Sequence, residues 1–230
     1  MLLRSLLLVA PGPAFVRAAV SGADALIVDA TGVDDDGLRQ TAAFVASVTA
    51  TAVFVRVGPL SERRTADALD AIIPARPAGV VLAGAEGGAD VARLSALLRP
   101  REAMAGIDDG ATRVIAMATD TPAGMFALGT YAGASGRLLA LAGDDQMLAQ
   151  ALGAADTTEV TRSVRTGTLI GAAAAGVAAL DRPFRGSGDV ALAHEAEAAR
   201  RAGFAGKLAL NADQVDIINS VFTRTAGSSS

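Results

Sequence analysis

The sequence predicts an α/β chain closed into a (β/α)8 TIM barrel. Eight short apolar runs recur along the 230 residues, and helical stretches alternate with them. The first loop reads APGPAF, so the GxGxxG turn of an open dinucleotide-binding sheet is missing. The length also suits one barrel. Residues 1–224 are expected to form a single domain, and 225–230 (AGSSS with the preceding Thr) a disordered tail.

The elements follow in order. Strands are expected at 6–10, 25–30, 52–57, 79–83, 114–119, 138–142, 177–180 and 207–210. Helices are expected at about 14–21, 38–47, 62–72, 89–98, 146–152, 190–202 and 212–221, with an extra one near 162–175 before the seventh strand. The polar segment 100–110, which opens on a proline, reads as a loop. After the fifth strand comes Asp120-Thr121-Pro122. Thr121 suits an N-cap and Pro122 the first helical position, where its missing N–H would have no partner. A helix then runs through Met125, Phe126 and Leu128.

Half the residues are hydrophobic but only 3% are aromatic, so the core must be built from small aliphatic contacts. The net charge of −4 is spread over both signs, which leaves no basic face for nucleic acid. One lysine, Lys207, stands among arginines, and cysteine is absent. The missing cysteines exclude thiol chemistry and favour the cytoplasm. Arg4 and Pro11-Gly12 interrupt the apolar start, which reads as a strand rather than a signal peptide. No apolar run is long enough to span a bilayer, so no membrane association is expected.

In such a barrel the loops after the strands build the active face. Those exits supply Asp29, Arg56, Glu86, Asp120, Asp144 with Asp145, Asp181 and Asn211. Carboxylate oxygens of this kind suit Mg²⁺ rather than Zn²⁺, and an arginine among them can grip a substrate carboxylate through two donors. Taken singly, each acid has a plainer reading as a helix cap or an arginine partner. His194 lies among charged neighbours on a helix and is read as a surface residue. Lys207 opens the last strand, at the wrong end for Schiff-base chemistry, and is expected to pair with an acid.

A resemblance then covers nearly the whole chain. RSLLLVAPG at 4–12 resembles RSxLFVPG, GADALIVD at 22–29 resembles GADALILD, and VFVRVG at 53–58 resembles VRVN. GVVLAGAEGGADV at 79–91 is similar to GVVLPKVES-ADV, DTPAG at 120–124 to ETPAG, and GDDQMLAQALG at 143–153 to GAEDLAADLG. The endings AAGVAALD at 174–181 and GFAGKLALNADQVDIIN at 203–219 are similar to AAGVAAID and GFxGKxxIHPxQVxxIN. All belong to the citrate lyase β-subunit-like branch of the HpcH/HpaI aldolase family. The resemblance implies a barrel, commonly trimeric, that uses Mg²⁺ to make or break a carbon–carbon bond in acyl-CoA or keto-acid substrates.

Carried over residue by residue, the resemblance makes Asp120 and Asp145 the metal ligands, with Asp144 replacing Asp145 if a one-residue offset before Leu152-Gly153 falls the other way. It keeps Arg4 and Arg56 as substrate-binding residues, and Arg56, Glu86 and Asp29 become the catalytic candidates. The departures are Gly58 for asparagine, Gly84 for lysine, Asn211 for histidine, Asp120 for glutamate, and Ala30-Thr31-Gly32-Val33 for an acidic segment. Two readings follow. One is a Mg²⁺-dependent lyase or aldolase acting on an acyl-CoA or a 2-oxo or 3-hydroxy acid, assembled as a homotrimer or higher oligomer. The other is a catalytically degraded homologue kept for binding or assembly. A phosphoenolpyruvate-mutase-like enzyme is a third.

Overall fold

Alternation of apolar and polar residues cannot fold the strands here, because both faces of every strand are covered; near-continuous Val, Leu, Ile and Ala runs result. A computed structural model of the chain describes residues 3–223. The expected tail at 225–230 lies outside them. Eight parallel strands close on themselves in sequence order, β1 (Ser5–Val9), β2 (Ala25–Asp29), β3 (Ala52–Val57), β4 (Gly79–Leu82), β5 (Arg113–Met117), β6 (Leu138–Ala142), β7 (Ala178–Asp181) and β8 (Gly206–Ala209). The expected (β/α)8 barrel is therefore the observed fold.

Alternate residues of all eight strands, among them Leu6, Ile27, Phe54, Val81, Ile115, Ala142, Leu180 and Leu208, form one cluster that fills the barrel. Phe54 fits because Gly79 faces it: a Cβ at Gly79 would lie 2.5 Å from the Phe54 ring. The intervening strand residues, such as Leu7, Leu26, Val55 and Val80, pack outward beneath the helices. One register shift, between Val114 and Ile115 opposite β6, gives β6 an extra residue there.

The helices are α1 (Phe15–Ala19), α2 (Asp35–Ser47), α3 (Arg63–Ile72), α4 (Gly88–Met104), α5 (Pro122–Phe126), α6 (Asp145–Leu152), α7 (Thr158–Ala175), α8 (Asp189–Ala202) and α9 (Val215–Thr223). Asp34 caps α2 through Gly37 N–H, with Asp35 and Asp36 in the first turn. Thr121 caps α5 through Gly124 N–H, with Pro122 behind it, as the sequence predicts. The helix ends earlier than expected, at Phe126, and a 3₁₀ turn, Leu128–Tyr131, continues the segment.

The expected loop at 100–110 is corrected: α4 runs through Pro100 to Met104. A proline inside a helix removes one hydrogen bond and crowds the preceding turn. Tertiary contacts outweigh this, because Glu102 is buried in the last turn with both oxygens 2.6 Å from Arg137 guanidinium nitrogens. The Glu102 carboxylate also accepts from Gly110 and Thr112 N–H. Burial pushes this carboxyl up, but Arg137 and the backbone donors outweigh it and hold it at about 2.

Candidate functional site

The site forms where β2, β3, β5 and β6 deliver polar residues to one rim. Asp29 and Arg56 face each other in register, and Arg56 Nη1 donates to Asp29 Oδ2 at 3.1 Å. Asp29 Oδ1 accepts from Thr31 N at 3.0 Å and from Thr31 Oγ1 at 2.6 Å, so both its oxygens are engaged. Arg56 Nη2 lies 3.9 Å from Asp120 Oδ2, and Arg56 Nε is buried without a partner.

Asp120 follows β5 and is only 2% exposed. Its Oδ1 accepts from Asp144 N at 2.8 Å, which ties the exit of β5 to that of β6. Its Oδ2 is buried without a hydrogen-bond partner. Burial pushes the carboxyl up to about 7, against the lowering influence of the Asp144 N–H and the Arg56 charge. Thr31, Arg56, Gly58, Glu62, Asp120 and Met147 line part of a cavity of about 410 Å³ at this rim.

Asp144 is the residue beside Asp120. Its Oδ1 caps α6 through Gln146 N–H at 3.0 Å, and its Oδ2 accepts from Arg185 at 2.7 Å. Asp145, the expected second metal ligand, is turned elsewhere. Its Oδ2 accepts from Thr161 Oγ1 at 2.6 Å and lies 3.2 Å from Arg182 Nε, while Arg185 donates to its Oδ1 at 3.4 Å. The first residue of α6 thus serves to hold α7 and the loop after β7. Among the described residues, no group of three or more His, Cys, Asp or Glu side chains is arranged to hold a metal ion.

Other expected site residues lie apart. Glu86 is exposed after β4 and does not line the cavity; its N–H binds the carboxylate of Asp90. Arg4 precedes β1, at the opposite rim, where Asp24 binds its Nε and Nη2 at 2.9 and 2.7 Å and Thr223 takes its Nη1. Asn211 caps the 3₁₀ turn Ala212–Gln214. Asp181, expected at the active rim, faces the helices: it binds Arg165 of α7 at 2.9 Å and Lys207 at 2.7 Å. Strand alternation explains this, since Leu180 points into the barrel and its neighbour must point out. Lys207 also binds Glu195 at 2.7 Å, and His194 is exposed, both as the sequence reading expects. Glu62 was not singled out by sequence. The signal available was a glycine four residues earlier, in a turn that follows Arg56.

No family model matches the chain, and no curated protein matches it. Solved structures do. RipC from Yersinia pestis superposes with a TM-score of 0.77 at 26% identity, over 97% of this chain and 96% of that one. The citrate lyase β subunit of M. tuberculosis, complexed with oxaloacetate and magnesium, gives 0.76 at 22%, over 96% of each chain. In fold, the chain is similar to the citrate lyase β subunit. Haloferax volcanii malate synthase, in a pyruvate/acetyl-CoA ternary complex, gives 0.81 at 18%, over 99% of this chain and 72% of that one. The resemblance drawn from the ordered motifs is borne out by these structural neighbours of the citrate lyase β-type barrel. Among the described residues, no helix is long and apolar enough to cross a membrane.

Proposed function

We propose that this citrate lyase β-type barrel is a Mg²⁺-dependent carbon–carbon lyase or aldolase acting on a small 2-oxo or 3-hydroxy acid or its acyl-CoA thioester. One observation carries the reading: Asp120 Oδ2 is a buried carboxylate oxygen with no hydrogen-bond partner, 3.9 Å from Arg56 and beside a cavity that Arg56 also lines. A buried acceptor left unpaired costs about 1–3 kcal/mol, more if charged, and such a cost is retained where a ligand supplies the missing partner. Mg²⁺ is commonly held by one or two carboxylates, with substrate and water completing its shell. Asp120 would hold it here, since both oxygens of Asp144 are taken by Gln146 N–H and Arg185, and those of Asp145 by Thr161, Arg182 and Arg185.

The bound ion would polarise a substrate carbonyl and favour the enolate left when the carbon–carbon bond breaks. Arg56 orients the substrate by gripping a carboxylate, and Asp29 holds the guanidinium from behind. Arg185 keeps Asp144 in place through its Oδ2. Homo-oligomeric assembly and a cytoplasmic setting belong to the same proposal.

The second reading, a binding or assembly protein, draws on Arg185, which already neutralises both Asp144 and Asp145. Titration calorimetry with Mg²⁺, alone and with oxaloacetate or pyruvate, separates the two. Binding at millimolar concentration or tighter, abolished by Asp120→Ala, is expected. Absence of heat under every condition favours the second reading.

A further inference from the structure

Enolate chemistry needs a group that takes and returns a proton, and most carboxylates around the cavity are spoken for. Asp29 is engaged by Arg56 and Thr31, Asp144 by Arg185 and the start of α6, and Glu86 lies outside the cavity. Glu62 is different. It lines the cavity with Arg56 and Asp120, and its exposed carboxylate makes no hydrogen bond or ion pair among the described residues. Its backbone is fixed all the same. Glu62 N–H donates to Pro59 O at 3.0 Å, Thr65 N–H donates to Glu62 O at 3.1 Å, and Thr65 Oγ1 closes the turn on Pro59 O at 2.8 Å.

Gly58 opens the space for this carboxylate. A Cβ at position 58 would lie 2.6 Å from Glu62 Oε2 and 3.2 Å from its Cδ, so any side chain there displaces the acid. Gly58 is not in the left-handed region, so neither a turn nor a strained φ demands glycine at this place. The Glu62 carboxylate, with Thr65 Oγ1 at 3.3 Å beyond it, is what such a Cβ would meet.

We propose that Glu62 is the proton-transferring catalytic residue of this site, a role that rests on the lyase reading above. With a substrate carboxylate on Arg56, Glu62 accepts a proton from the carbon next to the substrate carbonyl. The C–H bond breaks and its proton goes to Glu62 Oε2. The electron pair becomes the carbon–carbon double bond of an enolate, and the carbonyl π pair moves to oxygen. In the reverse direction Glu62 returns the proton to carbon. General-base groups of this kind contribute about 10²–10⁴ in rate.

The test is hydrogen–deuterium exchange of the methyl groups of pyruvate and of acetyl-CoA in D₂O with Mg²⁺, followed by NMR on the whole protein. Wild type is expected to exchange at least one of them. Glu62→Gln should slow exchange about 100-fold or more, while saturation transfer still reports bound ligand, and Glu62→Asp should recover part of the rate. Gly58→Ala should slow exchange as well, by moving the carboxylate, with no additional loss when combined with Glu62→Gln. Wild-type exchange matched by Glu62→Gln overturns the role of Glu62 and leaves the lyase reading standing. Loss of ligand binding in step with loss of exchange in these variants makes Glu62 a binding residue and overturns its catalytic role. No exchange by the wild type with either compound overturns both proposals.

Discussion

Replacing Asp120 by asparagine should change how stability depends on pH, and by a calculable amount. Burial raises the folded-state carboxyl from 3.8 to about 7. The unfolded chain ionises first as pH rises, so the folded state loses stability between about pH 4 and 7 and is level above that. Each pKa unit corresponds to about 1.4 kcal/mol, which makes the full loss about 4 kcal/mol. Asparagine cannot ionise, yet its Oδ1 can still accept the Asp144 N–H. Its Nδ2 faces Arg56 without an acceptor and adds a fixed penalty of about 1–3 kcal/mol at every pH. The sign of the variant's effect therefore reverses: less stable than wild type near pH 4, more stable near pH 8. The difference between the two proteins should move by about 4 kcal/mol across that range, or about 8–16 °C in Tm for a chain of this size. Urea unfolding followed by circular dichroism at stepped pH, without divalent ions, reads this directly. A difference that stays constant within about 1 kcal/mol from pH 4 to 8 refutes the argument that Asp120 is held in an uncompensated buried site.

Two further outcomes are expected. Arg56→Lys should weaken binding of pyruvate or oxaloacetate about tenfold or more in calorimetry while Tm stays within a few degrees, because lysine lacks the planar pair of donors; equal loss of stability and binding would mark Arg56 as structural. Glu102 is fully buried, with its carboxyl lowered from 4.5 to about 2 beside Arg137, so its stabilising contribution exists above pH 4.5 and disappears as pH falls toward 2. Glu102→Gln should accordingly cost about 3 kcal/mol at pH 7 and little at pH 2, measured by acid-induced unfolding.

The barrel was legible because its strands are apolar on both faces and bounded by polar residues. The third and sixth, Ala52–Val57 and Leu138–Ala142, have the ends that the sequence suggests. What misled at 100–110 was Pro100, whose local penalty is outweighed by an ion pair to Arg137 that sequence cannot reveal. The site was legible only as a set of strand exits. Asp29, Arg56 and Asp120 do converge, whereas Asp181 leaves by the outer face of β7 and Arg4 belongs to the other rim. Choosing between Asp144 and Asp145 required knowing that the Asp144 N–H donates to Asp120 while the Asp145 carboxylate accepts from Thr161. Adjacent residues at a helix start point in very different directions, and spacing does not say which is which.

Lys207 is the only lysine in the chain, and it is fully buried. The folded surface therefore carries no lysine amine, and its positive side chains are guanidinium groups. Acylating reagents, and enzymes that acetylate or conjugate lysine, find no side-chain target until the barrel opens between β7, β8 and α8. Because Asp181 and Glu195 both hold the amine on the outer face of β8, that opening must part α8 from the barrel wall. A brief pulse of an amine-directed label, read at Lys207 by peptide mapping, thus serves as a built-in clock for the parting of α8 from the barrel, without an introduced probe.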